Sequence, residues 1–198
     1  NGKGIYRTFD GGASWTQVNS GLGSLRVSEL AIHPTNPEIQ FAVTFDGGLY
    51  KTENHGNNWA ISNNGLPTLN LSSVAIAPGN PSVVFVSASS PVEIYKSSDG
   101  GATWSDISLN IPMAVGPSAL VVHPDSSNVV YAAVTDVQRL KQTGLDTVGF
   151  LETDLSPRAL IGADFNNDGQ VDFVAANQGS NTLSVFLTLA RGSLFQRT

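Results

Sequence analysis

Short apolar segments recur in pairs along the chain, and a turn containing proline joins the two members of each pair. The turn prolines Pro34, Pro78 and Pro124 lie 44 and 46 residues apart. The paired segments are 30–32 with 39–43, 74–76 with 83–87, and 120–122 with 129–133. Segments this short, bounded by turn residues and lacking a helical period, predict β-strands and essentially no helix.

A glycine-rich acidic motif that ends in tryptophan follows the first two of these pairs and also precedes the first. It is complete at 97–104 (Ser-Ser-Asp-Gly-Gly-Ala-Thr-Trp) and at 8–15, and it is eroded at 52–59. The three copies contain all three tryptophans of the chain, 44 and 45 residues apart. Each unit therefore has a third strand before the motif and a fourth strand that starts at the tryptophan. Four strands in about 40–45 residues predict the blades of an all-β β-propeller.

The repeat spacing divides the chain into a half blade and four further units. The predicted boundaries are 1–18 for the half blade, 19–62, 63–107 and 108–154 for three blades, and 155–198 for a unit of a second type. These 4.5 to 5 blades fit a section of a longer propeller, or a five-bladed ring in which the half blade pairs with C-terminal strands. The chain opens inside a repeat without methionine or a signal peptide, so we expect a processed or excised piece whose targeting information is missing.

The repeated motif has the composition of a tight turn. Its Asp side chain accepts hydrogen bonds from turn amides, its glycines supply positive φ, and its tryptophan is expected to bury a ring between sheets. The acidic position recurs in every copy and is Asn in one, so we interpret Asp10, Asn54 and Asp99 as structural rather than catalytic. His55 stands where the other copies have glycine, and we expect that turn to be strained or differently shaped.

The repeat changes type in the last third of the chain. The next motif is due near residue 148, yet that segment contains neither Asp-Gly-Gly nor tryptophan, and Phe150 is the candidate for the tryptophan position. We interpret 137–157 as the junction between two repeat types. Beyond it, the apolar pattern predicts strands at 159–163, 173–177 and 182–187, and residues 192–195 are the candidate for the beginning of a fourth.

The loop between the first two of these strands has the spacing of a calcium site. The predicted ligands are the side chains of Asp164, Asn166, Asp168 and Asp172 and the backbone carbonyl of Gln170. Oxygen ligands at alternate positions around a glycine bend suit Ca²⁺, which takes about six to eight oxygens. An EF-hand requires an acidic residue at the twelfth loop position, where Ala175 stands, and flanking helices, where strands are predicted. The other alternative is an Asp/Asn-glycine turn without metal.

Composition and charge exclude several classes of function. The net charge is −6 and the 10 lysines and arginines are scattered, which argues against a nucleic-acid partner. The absence of cysteine excludes disulfides, thiolate metal sites and a cysteine nucleophile. No apolar run approaches the ~18 residues of a membrane span. The spacing of the acidic residues selects no pair of carboxylates for catalysis. Arg26 and Arg158 lie just before first strands, and we interpret them as solvated charges at strand ends.

Two family resemblances follow from these motifs. Residues 1–107 resemble Asp-box (BNR) repeats, whose pattern is Ser-x-Asp-Gly-Gly-x-Thr-Trp, and 158–198 resemble one FG-GAP/VCBS repeat with its Asp-x-Asn-x-Asp-Gly-x-x-Asp calcium loop. Asp-box repeats occur in sialidases, xyloglucan-cleaving glycosidases, the sortilin ectodomain and photosystem II assembly propellers. The resemblance implies a propeller but no single activity. The Arg-Ile-Pro segment of sialidases does not occur in this sequence.

The sequence leaves two classes of function open. The first is a non-catalytic binding or scaffold propeller, secreted or on the cell surface, with a structural Ca²⁺ site and no catalytic residue. It would bind a glycan or a protein through the loops that join fourth strands to the next first strands. These loops are 18–27, 62–72, 107–117 and 153–158. The alternative is a fragment of an Asp-box glycoside hydrolase, either sialidase-like or xyloglucanase-like.

Overall fold

The computed structural model describes residues 2–108, 117–134, 148–152, 157–189 and 193–197, and in these ranges the chain forms strands and no helix. Among the described residues, no helix is long and apolar enough to cross a membrane. The strands of the first half are β1 (Tyr6–Arg7), β2 (Thr16–Gln17), β3 (Val27–Ile32), β4 (Ile39–Thr44), β5 (Gly48–Glu53), β6 (Ala60–Ile61), β7 (Leu71–Ile76), β8 (Val84–Ser89), β9 (Val92–Ser97) and β10 (Ser105–Asp106). Those of the second half are β11 (Ala119–Val122), β12 (Val130–Val134), β13 (Val148–Glu152), β14 (Pro157–Ala163), β15 (Asp172–Asn177), β16 (Thr182–Leu189) and β17 (Ser193–Arg197).

The strands form five sheets that follow the order of the chain. Sheet I is β1–β2, sheet II is β3–β6, sheet III is β7–β10, sheet IV is β11–β13 and sheet V is β14–β17. In sheets II, III and V every strand pairs antiparallel with the next one. The four-stranded antiparallel units predicted from the apolar pattern are therefore confirmed for these three sheets.

The hydrophobic core lies between the faces of successive sheets. First strands contact each other in sequence, β3 with β7, β7 with β11, and β11 with β14. Between sheets II and III, Phe41 and Val43 pack with Val86 and Tyr95, and all four are almost fully buried. Cover on both faces explains why β4 and β8 are mostly apolar, whereas β3 alternates between half-buried and exposed residues.

A side chain near the start of the first strand joins sheet II to sheet III, and an equivalent one joins sheet III to sheet IV. In sheet II, the Oε2 atom of Glu29 accepts the backbone amide of Val74 in sheet III at 2.7 Å. In sheet III, the Oγ atom of Ser73 accepts the amide of Leu120 in sheet IV at 3.0 Å. Burial raises the pKa of the Glu29 carboxyl, and hydrogen bonds from Ser73 and Val74 oppose that rise. The equivalent residue of sheet IV is Ala119, which has no acceptor side chain.

Sheet IV differs from the four antiparallel strands that the sequence predicts. Among the described residues it has three strands, and β13 runs parallel to β12, with Phe150 opposite Ala132. Parallel neighbours need a connection of about a dozen residues, whereas an Asp-Gly-Gly turn makes an antiparallel hairpin. The segment 135–147 lacks that turn motif. Phe150 therefore lies inside a strand parallel to β12. Its assignment to the tryptophan position required it to stand at the start of an antiparallel fourth strand.

Two of the three tryptophans pack between sheets as predicted. The indole Nε1 of Trp59 donates to the carbonyl of Val18 at 2.9 Å, and that of Trp104 donates to the carbonyl of Ser62 at 2.8 Å. Their exposed fractions are 2% and 5%, whereas that of Trp15 is 60%. The prediction is wrong for Trp15, because no preceding sheet covers it among the described residues.

Candidate functional site

In the turn at 97–104, both carboxylate oxygens of Asp99 accept hydrogen bonds from residues of the same turn. The Oδ1 atom of Asp99 accepts the amide of Thr103 at 2.9 Å, and Oδ2 accepts the Thr103 hydroxyl at 2.5 Å. Ser97 Oγ donates to Asp99 Oδ1 and accepts the amide of Gly101. Gly101 has φ +86°, and a Cβ there would lie 2.5 Å from the ring of Phe41. The acidic side chain therefore closes the turn through its own hydrogen bonds.

The eroded turn at 52–59 keeps these hydrogen bonds except the one from a hydroxyl to Oδ2, since Asn58 stands in the place of Thr103. Asn54 Oδ1 accepts the amide of Asn58 and the hydroxyl of Thr52, and Thr52 Oγ1 accepts the amide of Gly56. His55 takes φ +58° at the position of the first glycine. Of the two expected alternatives, the differently shaped turn is wrong, because His55 adopts the left-handed conformation that the turn needs; a residue with a Cβ at positive φ is the strained alternative.

The stability of these two turns is expected to depend differently on pH. The hydroxyl and amide of Thr103 lower the pKa of Asp99 from 3.8 to about 2. Stability from the charged turn is therefore complete above pH 3.8 and is lost as the pH falls through about 2. We expect NMR titration of the Asp99 carboxyl to give a midpoint near pH 2, whereas the Asn54 side chain is an amide and does not titrate. An Asp99 midpoint near pH 3.8 would contradict the hydrogen bonding.

The predicted calcium loop is an exposed connection between β14 and β15. Asp164, Asn166 and Asp168 lie together on it: Asp164 Oδ1 and Asn166 Oδ1 both accept the Asp168 amide, at 3.2 and 3.0 Å. Asn166 Nδ2 donates to Asp168 Oδ2 at 3.0 Å. Asn167 and Gly169, both at positive φ, bend the chain. Three of the five predicted ligands thus gather their side-chain oxygens on one side of a tight loop.

The other two predicted ligands are placed differently. Asp172 is fully buried; its Oδ2 accepts the amide of Phe165 at 3.1 Å and its Oδ1 accepts the amide of Thr188 at 2.8 Å. Gln170 donates its amide to Asp168 Oδ1 at 2.8 Å. Within the described ranges, no group of three or more His, Asp or Glu side chains is arranged to hold a metal ion. Asp172 therefore ties the loop to β16, and the oxygens of 164–168 form its exposed part.

One cluster of acidic groups lies outside these turns. The hydroxyl of Tyr95 donates to Glu93 Oε2. Burial raises the pKa of Tyr95, and the charges of Glu93 and Asp106 raise it further. Asp106 lies opposite Tyr95 on the neighbouring strand. The cluster brings two carboxyl groups to one phenol on neighbouring strands of sheet III.

A second feature, which the sequence did not predict, lies at the loop 18–27. The guanidinium of Arg26 lies 3.9 Å from the ring centroid of Phe45, and Ser24 Oγ donates to Asp46. Phe45 and the adjacent Leu25 are both exposed. Phe45 stands in the β4–β5 turn, and only the fold shows that this turn meets the loop that begins the same sheet.

Arg158, the other arginine before a first strand, donates from Nε to Gln178 Oε1 at 2.8 Å. Its loop 153–158 and the loop 107–117 lie mostly outside the described residues.

A separate groove of about 420 Å³ lies beside β6 and the turn at 97–104. Its lining includes Lys51, Asn58, Asn63 and Gly101. Lys51 pairs with Glu53 at 2.8 Å, which lowers the pKa of that carboxyl.

Comparison with known proteins gives the fold. No protein-family model and no curated protein sequence matches the chain. Among solved structures, it is similar to an ancestral GH74 enzyme, with 18% identity and a TM-score of 0.63 over 98% of this chain and 28% of that one. It is also similar to the hydrazine synthase of Kuenenia stuttgartiensis, with 16% identity and a TM-score of 0.55 over 87% of this chain and 49% of that one.

These identities are too low to show more than a shared fold. The chain spans 28% and 49% of the two proteins, so it corresponds to part of each. Both neighbours are β-propellers, and sheets II, III and V of this chain are successive four-stranded antiparallel units. The chain has the fold of a section of a β-propeller.

Proposed function

We propose that the chain is a non-catalytic binding or scaffold module of a secreted or cell-surface β-propeller. Its first repeats would be of the Asp-box type and its last one of the FG-GAP/VCBS type. The ligand, a glycan or a protein, would bind the loops that join one sheet to the next. The observation that carries the proposal is the use of the recurring carboxylates inside their own turns, of which Asp99 is the clearest case.

The loop 18–27 supports the binding role. Arg26 stacks its guanidinium on the exposed ring of Phe45, and Ser24 of the same loop donates a hydrogen bond to Asp46, which follows Phe45 in sequence. Aromatic and arginine side chains are enriched at protein interfaces, and an exposed ring with polar neighbours also suits a sugar. Substitution of Phe45 by alanine should therefore weaken ligand binding more than a substitution in one of the turn motifs does.

We also propose that Ca²⁺ stabilises the loop 164–172. Asp164, Asn166 and Asp168 would supply side-chain oxygens, and Gln170 would supply its backbone carbonyl. The buried Asp172 would hold the loop in shape through its hydrogen bonds with the amides of Phe165 and Thr188. Two carboxylates and an amide oxygen on a bent loop are the donors that Ca²⁺ prefers. When bound, the ion would screen the two exposed carboxylates from each other.

Calcium binding is expected in a calorimetric titration of the metal-free chain. Asp168→Ala should weaken binding at least tenfold, because it removes a charged ligand. Asp125→Ala removes an exposed acidic residue in a different turn and should leave the heat unchanged. Absence of heat, or equal heat in the Asp168→Ala variant, would refute the site.

The second candidate is a fragment of an Asp-box glycoside hydrolase, sialidase-like or xyloglucanase-like. Its support is the acidic cluster of Glu93, Tyr95 and Asp106, together with the fold shared with a GH74 enzyme. A glycosidase needs two carboxyl groups about 5–9.5 Å apart across the scissile bond.

A hydrolysis screen on a glycan panel separates the two candidates. We expect no turnover from the unmodified chain and retained binding after Glu93→Gln or Asp106→Asn. Hydrolysis that either substitution abolishes would reject the non-catalytic proposal. Binding that Phe45→Ala abolishes, without hydrolysis, would support it.

A further inference from the structure

The eroded turn has two side-chain amides at positions where the complete turns bond to themselves. In both complete copies of the motif, a hydroxyl fills the second carboxylate oxygen, as that of Thr103 does at Asp99. The eroded copy has Asn54 and Asn58 at these two positions. The Asn54 atom that corresponds to Oδ2 is Nδ2, which is a donor, and Asn58 brings a second amide in place of a hydroxyl.

These two amides keep donors that the turn does not use. Asn54 accepts the amide of Asn58 and the hydroxyl of Thr52 through Oδ1, at 2.9 and 2.8 Å. The Oδ1 atom of Asn58 accepts the Ser20 hydroxyl at 3.4 Å. Among the described residues, neither Nδ2 atom donates a hydrogen bond. Both side chains are exposed, so the erosion of the motif leaves two amide groups accessible to a ligand.

Both asparagines line the groove of about 420 Å³ beside β6. Asn64 lines the same groove, is exposed, and makes no side-chain hydrogen bond within the described ranges. The volume falls within the range of about 300–1,000 Å³ that is usual for sites of small ligands. Three amide side chains with unused hydrogen-bonding groups therefore share one concave surface between sheet II and the turn at 97–104.

The rest of the lining adds apolar surface and no net charge. Ile61 is 68% exposed, and Ala102 is exposed as well. The two ionisable side chains of the lining, Lys51 and Glu53, pair with each other at 2.8 Å, so their formal charges cancel. The groove is therefore an uncharged surface on a chain whose net charge is −6.

We infer that this groove binds a neutral oligosaccharide. Sugar hydroxyls accept hydrogen bonds from amide Nδ2 groups and donate to amide oxygens, and the C–H face of a pyranose ring packs on an aliphatic side chain such as Ile61. A polyanionic glycan would meet no uncompensated cation. A peptide that adds a strand has little edge to use, because β6 is two residues long.

The inference rests on the proposed binding role, since Asn64 belongs to the loop 62–72, and it adds the turn at 52–59 and the class of ligand. It does not depend on the surface of Arg26 and Phe45, because neither residue lines the groove. The two surfaces can therefore be tested separately.

The test is an NMR titration of the labelled full chain with cellotetraose, xylotetraose, mannotetraose and maltotetraose. Sites with a few neutral hydrogen bonds have a Kd of about 1 mM, so each titration extends to about 10 mM. We expect at least one tetrasaccharide to give saturable shifts of the side-chain amide signals of Asn58 and Asn64. Phe45→Ala should leave these shifts unchanged.

A double substitution, Asn54→Asp with Asn58→Thr, rebuilds the complete turn and removes both unused donors. Because the hydroxyl then bonds to the second carboxylate oxygen, the fold is kept, which circular dichroism checks. Binding followed at Asn64 should weaken about tenfold. Asn57→Ala is the matched control, since Asn57 is an exposed asparagine of the same turn that does not line the groove, and it should bind as the unmodified chain does.

Three results would overturn the inference. They are the absence of saturable shifts with all four tetrasaccharides, undiminished binding by the double variant, and tighter binding of tetragalacturonate or an extended neutral peptide at the same amides. A ligand that still binds through Phe45 while the groove stays silent would reject the saccharide site and leave the proposed function standing.

Discussion

The Trp104→Ala variant is expected to lose about 3–5 kcal/mol of the free energy of unfolding, the usual cost of removing a large buried aromatic side chain. Trp104 packs with Phe41 and Leu49 of the preceding sheet. Its indole Nε1 donates to the carbonyl of Ser62, and its backbone amide donates to the carbonyl of Asn64. Truncation opens a cavity between sheets II and III and leaves the Ser62 carbonyl without its donor. Urea denaturation followed by far-ultraviolet circular dichroism measures the change.

Trp15→Ala is the matched control, because it makes the same substitution at the same position of the motif. Trp15 is 60% exposed, so its removal should change the free energy of unfolding by less than about 1 kcal/mol. Equal losses at the two positions would mean that the tryptophan acts within its own turn rather than between sheets.

The Asp172→Ala variant is expected to lose about 2–3 kcal/mol in calcium-free buffer. The buried carboxylate accepts the amides of Phe165 and Thr188, and a buried amide without an acceptor costs about 1–3 kcal/mol. Because chelator is present throughout, the loss reports the hydrogen bonds and not the proposed ion. Urea denaturation of the full chain is again the measurement.

Asp168→Ala serves as the control within the same loop. Asp168 is exposed and bonds only to neighbours in the loop, so its loss without calcium should stay below about 1 kcal/mol. If Asp168→Ala destabilised the metal-free chain more than Asp172→Ala, the division of the loop into a structural and an exposed part would be wrong.

The positions of most strands could be predicted because local signals determine them. Apolar segments, proline turns and the tryptophan motif identify sheets II and III, and the change of pattern after the third repeat identifies sheet V. The pairing of β12 with β13 could not be predicted, because strand direction depends on a connection that carries no turn motif. The exposure of Trp15 could not be predicted either, since burial depends on a neighbouring sheet and not on the motif itself.

The site residues divide in the same way. The spacing from Asp164 to Asp172 places five residues on one loop, but spacing alone does not show that Asp172 turns inward to bond with Thr188. The proximity of Arg26 and Phe45 joins two loops 19 residues apart in sequence, with no recognisable pattern between them. Contacts of this kind arise from the sheet register, which a single sequence does not determine.

The amide-accepting side chains Glu29 and Ser73 have a consequence for cooperativity. In stacked repeats each unit contacts only its neighbours, so global unfolding is cooperative only where every junction is strongly coupled. The junctions between sheets II and III and between sheets III and IV each have such a hydrogen bond, whereas the junction between sheets IV and V has Ala119 at the equivalent position. Sheet V therefore lacks this hydrogen bond to its neighbour and is coupled to sheet IV through side-chain packing such as that of Tyr131 on Phe173, so we expect it to open before sheets II to IV separate.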